Sequence, residues 1–213
     1  MNIDTTKVYD ISMPISHDMP VYKGREEKRP DLIAQSTFAT ASAYESVIKM
    51  NMHTGTHIDS KLHMIEGGST IESIDVRDLL TECRVIDLSD CKDSISKEDL
   101  VDKNIKEGSF LLLKTRNSTE DILEKDFIYL DRTGASYLAS LKVRGVGTDG
   151  LGIERSQSDH MTHLTLMNEG AHIIEGLRLA DVPEGNYFLS ALPIYIPGAE
   201  ASPVRAVLMG LTK

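Results

Sequence analysis

Residues 51–63, NMHTGTHIDSKLH, place three of the chain's seven histidines beside an aspartate. Imidazole nitrogen and carboxylate oxygen are the donors that zinc and similar borderline metals take, and His53, His57 and Asp59 offer three of them in close succession. A metal site, a catalytic base with its supporting groups and a polar loop all fit such a stretch. Several donors within mutual reach favour the metal, since a histidine-rich loop needs no such spacing.

Thr54, Gly55 and Thr56 separate His53 from His57 and are poor helix formers, so the helical arrangement with two histidines at i and i+4 is disfavoured. An extended or looped backbone is expected instead. If residues 57–59 run as a strand, the period of two puts His57 and Asp59 on one face, and Gly55 lets the chain bend so that His53 returns to the same point. His63 lies beyond Ser60 and Lys61, beside the donors without being one of them. That is where a general acid or base acting on water or a leaving group belongs.

A second group is weaker on spacing alone. His163 falls in a helix expected after Asp159, and Glu175 closes the run AHIIE. Both can face a cleft if helix and strand pack together, but spacing favours a surface or core role for them. His160, one turn before His163, is either a neighbour of the site or surface. His17 and His172 have no such company and read as ordinary histidines. Arg205 alternates within a buried-looking strand and is expected to be structural. Arg116 is a comparable case at a strand end, nearer to the pocket.

The elements that must position these groups are mostly strands. Short runs rich in Val, Ile, Leu and Tyr, bounded by Gly, Pro, Asp or Asn, occur at KVYDISMPI, ESVIKMNM, CRVIDL, SFLLLKT, VRGVGTD, AHIIEGL, YFLSALPIYI and SPVRAVLMGL. Helices are expected from Ser73 (SIDVRDLL), after Ser96 as N-cap (SKEDLVDKN), at TGASYLASL, and at SDHMTHLTLMNEG with Asp159 as N-cap and Gly170 as the stop. The class is therefore mixed α/β. Helices do not alternate regularly with strands, which disfavours a doubly wound sheet, and no G-x-G-x-x-G or P-loop is present.

With 213 residues and 40% hydrophobic content, residues 1–213 read as one domain without linker, repeat or low-complexity tract. A net charge of −10 leaves no basic footprint for nucleic acid or an anionic membrane. A small-molecule substrate is expected, with neither nucleic acid nor membrane as partner. Residues 25–29 and 98–106 read as solvated charged surface. Cys83 and Cys91 make no disulfide framework, and no signal-peptide core or membrane span is visible, so a cytoplasmic location is expected.

HTGTHIDSKLH resembles the signature H-x-G-T-H-x-D-x-P-x-H of the cyclase-like metal-dependent hydrolases, the family containing bacterial kynurenine formamidase and isatin hydrolase. YDISMPISHDMPVYKG, HLTLMNEGAHIIEGL and LSALPIYIPGAEASPVRAVLMG agree with it in the same order, so the likeness spans nearly the whole chain. The resemblance implies a swivelling β/β/α fold around a barrel-like, mainly antiparallel sheet, in a homodimer or homotetramer. It implies metal ligands at His53, His57 and Asp59 and, more distantly, at His163 and Glu175, for one or two Zn2+ ions or alternatively Mn2+. It assigns proton transfer to His63. Two departures stand out: Lys61 replaces the motif proline, and Tyr22 in PVYKG stands where kynurenine formamidases carry a tryptophan near the substrate.

The expected activity is hydrolysis of an amide, formamide or lactam of a small aromatic substrate by metal-activated water, arylformamidase-like, with Tyr22 as an aromatic wall of the pocket. Such an activity would have a place in tryptophan catabolism. Cyclisation or dehydration by the same metal set, and metal-dependent ligand binding without catalysis, are the alternatives.

Overall fold

The computed structural model describes residues 2–212. The chain opens with β1 (Asn2–Asp10), β2 (Asp31–Ser36), β3 (Glu45–Lys49) and β4 (His57–Asp59). There follow β5 (Leu80–Asp87), β6 (Ser94–Ile95), α1 (Lys97–Val101), β7 (Phe110–Lys114), β8 (Tyr129–Leu130), α2 (Arg132–Ser140) and β9 (Gly145–Thr148). The last part carries α3 (Met161–Asn168), β10 (His172–Glu175), β11 (Gly185–Ser190), β12 (Ala201–Pro203) and β13 (Val207–Thr212).

Nine strands form one mixed sheet in the order β1-β13-β11-β5-β7-β9-β10-β4-β12. It curls into a half-barrel. Neighbours are antiparallel towards both ends, whereas β5, β7, β9 and β10 run parallel through the middle. Three helices lie in the connections of this parallel core: α1 between β5 and β7, α2 between β7 and β9, and α3 between β9 and β10. Helix and strand therefore do alternate here, contrary to the sequence reading. The expected signal is faint because α1 has only five residues and its connection also holds β6.

Alternation explains the two cores. Leu111 and Leu113 of β7 pack with Ile86, Val146, Leu138 and Leu166 on the helix side. Phe110 and Leu112 pack with Val85, Ile174, Leu189 and Leu208 on the concave side. Strands buried on both faces read as continuous apolar runs, and FLLLK is one. A smaller cluster of Met13, Met19, Val21, Leu123 and Phe127 fastens the loop after β1 against the segment before β8. Tyr22 packs on its edge.

Three local expectations are corrected. The segment from Ser73 is not an α-helix: two 3-10 turns, Ile71–Ser73 and Val76–Leu79, flank an extended Ile74–Asp75 pair. With β-branched Ile71, Ile74 and Val76 in so short a run, helix nucleation has little to propagate. The last strand is two strands, β12 and β13, with the exposed Arg205 turned out between them onto Asp10. Finally, Asp159 does not cap α3. Its carboxylate accepts from Arg132, and the N-cap is His160 in the left-handed region at φ 51. Ser96 does cap α1, its N–H and hydroxyl both donating to Asp99, and Gly170 at φ +84 follows the end of α3.

Strand β2, which the sequence reading left out, pairs with β3 in a separate hairpin. Leu32, Ile33, Val47 and Ile48 on its strands and Phe38 and Tyr44 in its loop are all exposed.

Candidate metal centre

Strand β4 is the pivot of the site. It is paired on both sides, with Glu175 opposite His57 across β10 and Pro203 opposite His57 across β12. Directly opposed residues of an antiparallel pair share a face. His57, Asp59 and Glu175 therefore point the same way, while Ile58 and Ile174 point into the core with no exposure. Gly55, at φ +66, makes the bend before β4, and Gly176, at φ +72, makes the one after β10. These two turns touch: a Cβ on Gly176 would lie 2.3 Å from the Gly55 carbonyl oxygen. The buried Thr56 hydroxyl locks the contact, donating to Gly176 O at 2.7 Å and accepting from the Met13 N–H at 2.7 Å.

On that face the donors converge. Asp59 presents Oδ1 at 3.0 Å from His53 Nδ1 and 3.6 Å from His57 Nε2, and Oδ2 at 3.7 Å from His163 Nε2. Glu175 presents Oε2 at 3.3 Å from His57 Nε2 and Oε1 at 3.3 Å from His163 Nε2. Asp59 thus spans three histidines and Glu175 two. His53, His57 and Asp59 are close enough in their donor atoms to share an ion, as are Asp59, His63 and His163, and Glu154, His160 and His163.

Whether this set fits a cation is testable on its own chemistry. His57 Nε2, both Asp59 carboxylate oxygens and His163 Nε2 are buried without a hydrogen bond. Buried polar atoms are normally paired, and four orphans facing one point are what a cation-binding cluster presents. The donor set fits a divalent metal. Burial opposes charge on His57, but Glu175 and Asp59 outweigh it and raise its pKa to about 9. His163 is raised well above the ordinary imidazole value, against its burial, by Asp59, Glu154 and Glu175. Burial and the Asp59 charge push Glu175 up, yet His163 and His57 hold it at about 2. Those protons are what a cation would displace on binding.

The rings are aimed from behind. His57 Nδ1 lies 2.9 Å from Gly55 O, which directs Nε2 inward. His163 has Glu154 at its back, Oε1 at 3.0 Å from Nδ1. The other oxygen of Glu154 accepts from the backbone N–H groups of Thr162 and His163 at 3.1 and 3.3 Å, so one carboxylate caps α3 and holds its histidine. His160 Nδ1 meets the same Glu154 Oε1 at 2.6 Å. The Ile153 N–H donates to Glu175 Oε1 at 2.6 Å.

His63 ends a 3-10 turn (Lys61–His63) with its ring 4.1 Å from that of His53 and 5.6 Å from that of His163. Burial lowers its pKa, with His53 and His163 adding to the effect against Asp59 and Glu175. The ring is neutral near pH 7 and fit to accept a proton. Lys61, in place of the motif proline, is exposed, and the turn forms with its N–H-to-carbonyl bonds intact.

Beside the donors opens a cavity of about 210 Å³ lined by His53, His63, His163, Glu175, Tyr22 and Lys28 among others. Tyr22 lies among the residues that line it. Lys28 corrects the reading of residues 25–29 as mere solvated surface. Arg116 is not at the pocket: its guanidinium holds the Cys91 and Lys92 carbonyls and the Glu120 carboxylate. His17 and His172 stand apart, near Asp31 and Asp78.

A family model described as "Putative cyclase" matches residues 9–155. The chain belongs to the cyclase family. Kynurenine formamidase of Bacillus mycoides is 30% identical over 206 residues, covering 96% of this chain and 98% of that protein. A structure described as a predicted metal-dependent hydrolase from Bacillus stearothermophilus superposes with a TM-score of 0.87 at 48% identity, covering 95% of this chain and 98% of the other. Isatin hydrolase A from Labrenzia aggregata, at 22% identity and a TM-score of 0.81 over 95% of this chain and 93% of its own, shares the fold. The cyclase-like α/β fold expected from the sequence is the one observed.

Sequence reasoning missed Glu154 and Lys28. Neither sits in a histidine-rich motif. Glu154 lies nine residues before His163 in GIERSQSDH, and left-handed residues at Ser156 and His160 turn the chain between it and the helix.

Proposed function

We propose that this chain is a metal-dependent hydrolase that cleaves an amide, formamide or lactam bond of a small aromatic substrate, arylformamidase-like. The observation that carries the reading is the convergence of His53, His57, Asp59, His163 and Glu175, with unpaired buried donor atoms, at the wall of a cavity that also holds His63. The kynurenine formamidase relatives support the substrate class.

The five donors would hold one or two divalent ions, zinc first and manganese as the alternative, since imidazole and carboxylate suit both. A bound ion supplies Lewis acidity, polarising an acyl oxygen and acidifying water. The chain's residues do the rest. Tyr22 packs against an aromatic substrate. The neutral imidazole of His63 takes a proton from the attacking water and returns it to the leaving nitrogen, so the amine departs uncharged. Glu154 and the Gly55 carbonyl fix the two ring orientations.

The test separates holding metal from moving protons. His63→Ala is expected to retain bound metal and lose about a hundredfold or more in kcat on an aryl formamide, whereas His57→Ala loses the metal itself. Full activity in His63→Ala would remove its assigned role. The family model's own description favours one further reading, cyclisation with loss of water, which mass analysis of the product distinguishes from addition of water.

The reading extends to the whole chain as one domain, acting on a small molecule as a homodimer or homotetramer. Exposed apolar side chains on the β2–β3 hairpin support association, because such patches mark contact surfaces. Cytoplasmic residence is supported by two buried cysteines that form no disulfide. Recovery of the native protein from an extracytoplasmic fraction would contradict it.

A further inference from the structure

Lys28 lies in the stretch between Tyr22 and the hairpin, and it lines the same cavity as His53, His63, His163 and Glu175. Its ammonium makes no ion pair and no hydrogen bond among the described residues, although carboxylates stand nearby. Those at the site are already engaged, and Glu27, next to Lys28 in the chain, forms no ion pair with it. Asp59 faces three histidines, Glu175 faces two and a backbone N–H, and Glu154 faces His160, His163 and the start of α3. Lys28 Nζ sits instead 5.4 Å from the centre of the Tyr22 ring, with Lys23 Nζ 5.1 Å from the same ring. A cation half withdrawn from water against an aromatic wall, without a counter-ion, is a vacant anion partner.

Burial and the neighbouring Arg25 lower the Lys28 pKa, while Glu27 and Glu175 oppose them. The partner that completes this arrangement must enter the cavity. A single ammonium is a point charge that balances one negative charge, so it matches a carboxylate rather than a nearly doubly charged phosphate. At about 210 Å³ the cavity is smaller than the usual range for drug-sized ligands and suits one ring.

We propose that Lys28 is a specificity-determining residue, selecting a single-ring acyl substrate that bears a carboxylate and setting that group against Tyr22 while the scissile bond faces the histidines. This inference rests on the hydrolase reading. For an aryl formamide, the water oxygen bonds to the formyl carbon, the C–N bond breaks, and one water proton passes through His63 to the arylamine nitrogen, giving the amine and formic acid, which releases the second proton to solvent as formate. The ring carboxylate takes no part in that exchange. Lys28 acts on binding and orientation.

The experiment compares 2-formamidobenzoate with neutral formanilide on the metal-loaded protein and on its Lys28→Met and Lys28→Arg variants, with metal content measured in each. The wild type is expected to favour the carboxylate substrate in kcat/KM, and Lys28→Met to lower that preference about ten- to a hundredfold, with Lys28→Arg keeping most of it. An equal preference in wild type and Lys28→Met would overturn the proposal. If neither compound is hydrolysed, the formamidase reading fails by itself, and calorimetric titration with anthranilate and anthranilamide decides on Lys28. Weaker anthranilate binding in Lys28→Met, about tenfold relative to the amide, upholds a carboxylate site. Unchanged binding, or none in the wild type, refutes it.

Discussion

Glu154 does two jobs with one carboxylate. One oxygen caps α3 at the Thr162 and His163 amides, and the other stands 3.0 Å from His163 Nδ1. Carboxylates behind metal-facing histidines fix ring orientation and raise basicity, and their loss typically costs ten- to a hundredfold in metal affinity. Glu154→Gln is accordingly expected to weaken metal binding by about that factor in chelator competition while the protein still folds, because the amide oxygen can keep the cap. Unaltered affinity would leave Glu154 a capping residue only. The contrast with His53, His57 and Asp59 shows where sequence stops being informative. Those three are contiguous enough for the period of a strand and one glycine to bring them together on paper. His163 and Glu175 needed the family resemblance, because their approach depends on α3 packing beside β10. Glu154 and Lys28 reach the site through loops, and loop paths leave no periodic trace.

At the scale of elements, β4 is only three residues long yet is buried on every side and paired along both edges. Its register against β10 is what sets Glu175 opposite His57. A slip of one residue would turn the donors into the core and Ile58 into the site. The strands of the central sheet were legible because FLLLK, GVGT and HIIE carry strand composition, but their parallel order was not, since pairing partners are far apart in the chain. The hairpin β2–β3 was half legible: ESVIK reads as strand, while DLIAQS sets a single β-branched residue, Ile33, among Asp, Ala and Gln. It is also the element least explained by the chain alone. Leu32 is 74% exposed and Phe38 78% exposed, and a two-stranded hairpin is only marginally stable in water without something to pack against. The proposed association would use this arm. Leu32→Asp combined with Phe38→Asp is expected to shift the protein to a smaller species in light scattering, with unchanged circular dichroism of the sheet. A wild type that is monomeric at micromolar concentration would exclude the arm as an interface.

For the whole molecule, the half-barrel supplies a rigid concave frame and leaves the chemistry to its rim. Two apolar layers clamp the parallel strands from both sides, and the antiparallel strands β4 and β12 close the edge that carries the donors. No helix of the described residues is long and apolar enough to cross a membrane. The cavity holds Glu154 and Glu175 beside its histidines, and Lys28 is the lysine among its lining residues. A net charge of −10 with a single cavity lysine suits a small substrate better than a polyanion. All of this depends on a metal being held by the five donors. The direct measurement is elemental analysis of the protein purified without chelator, paired with aryl formamide turnover before and after chelation and metal return. The expected result is roughly one to two equivalents of zinc or manganese per chain, activity lost with the metal and regained with it. Less than roughly half an equivalent of any transition metal, with no activation on adding one, would contradict the account.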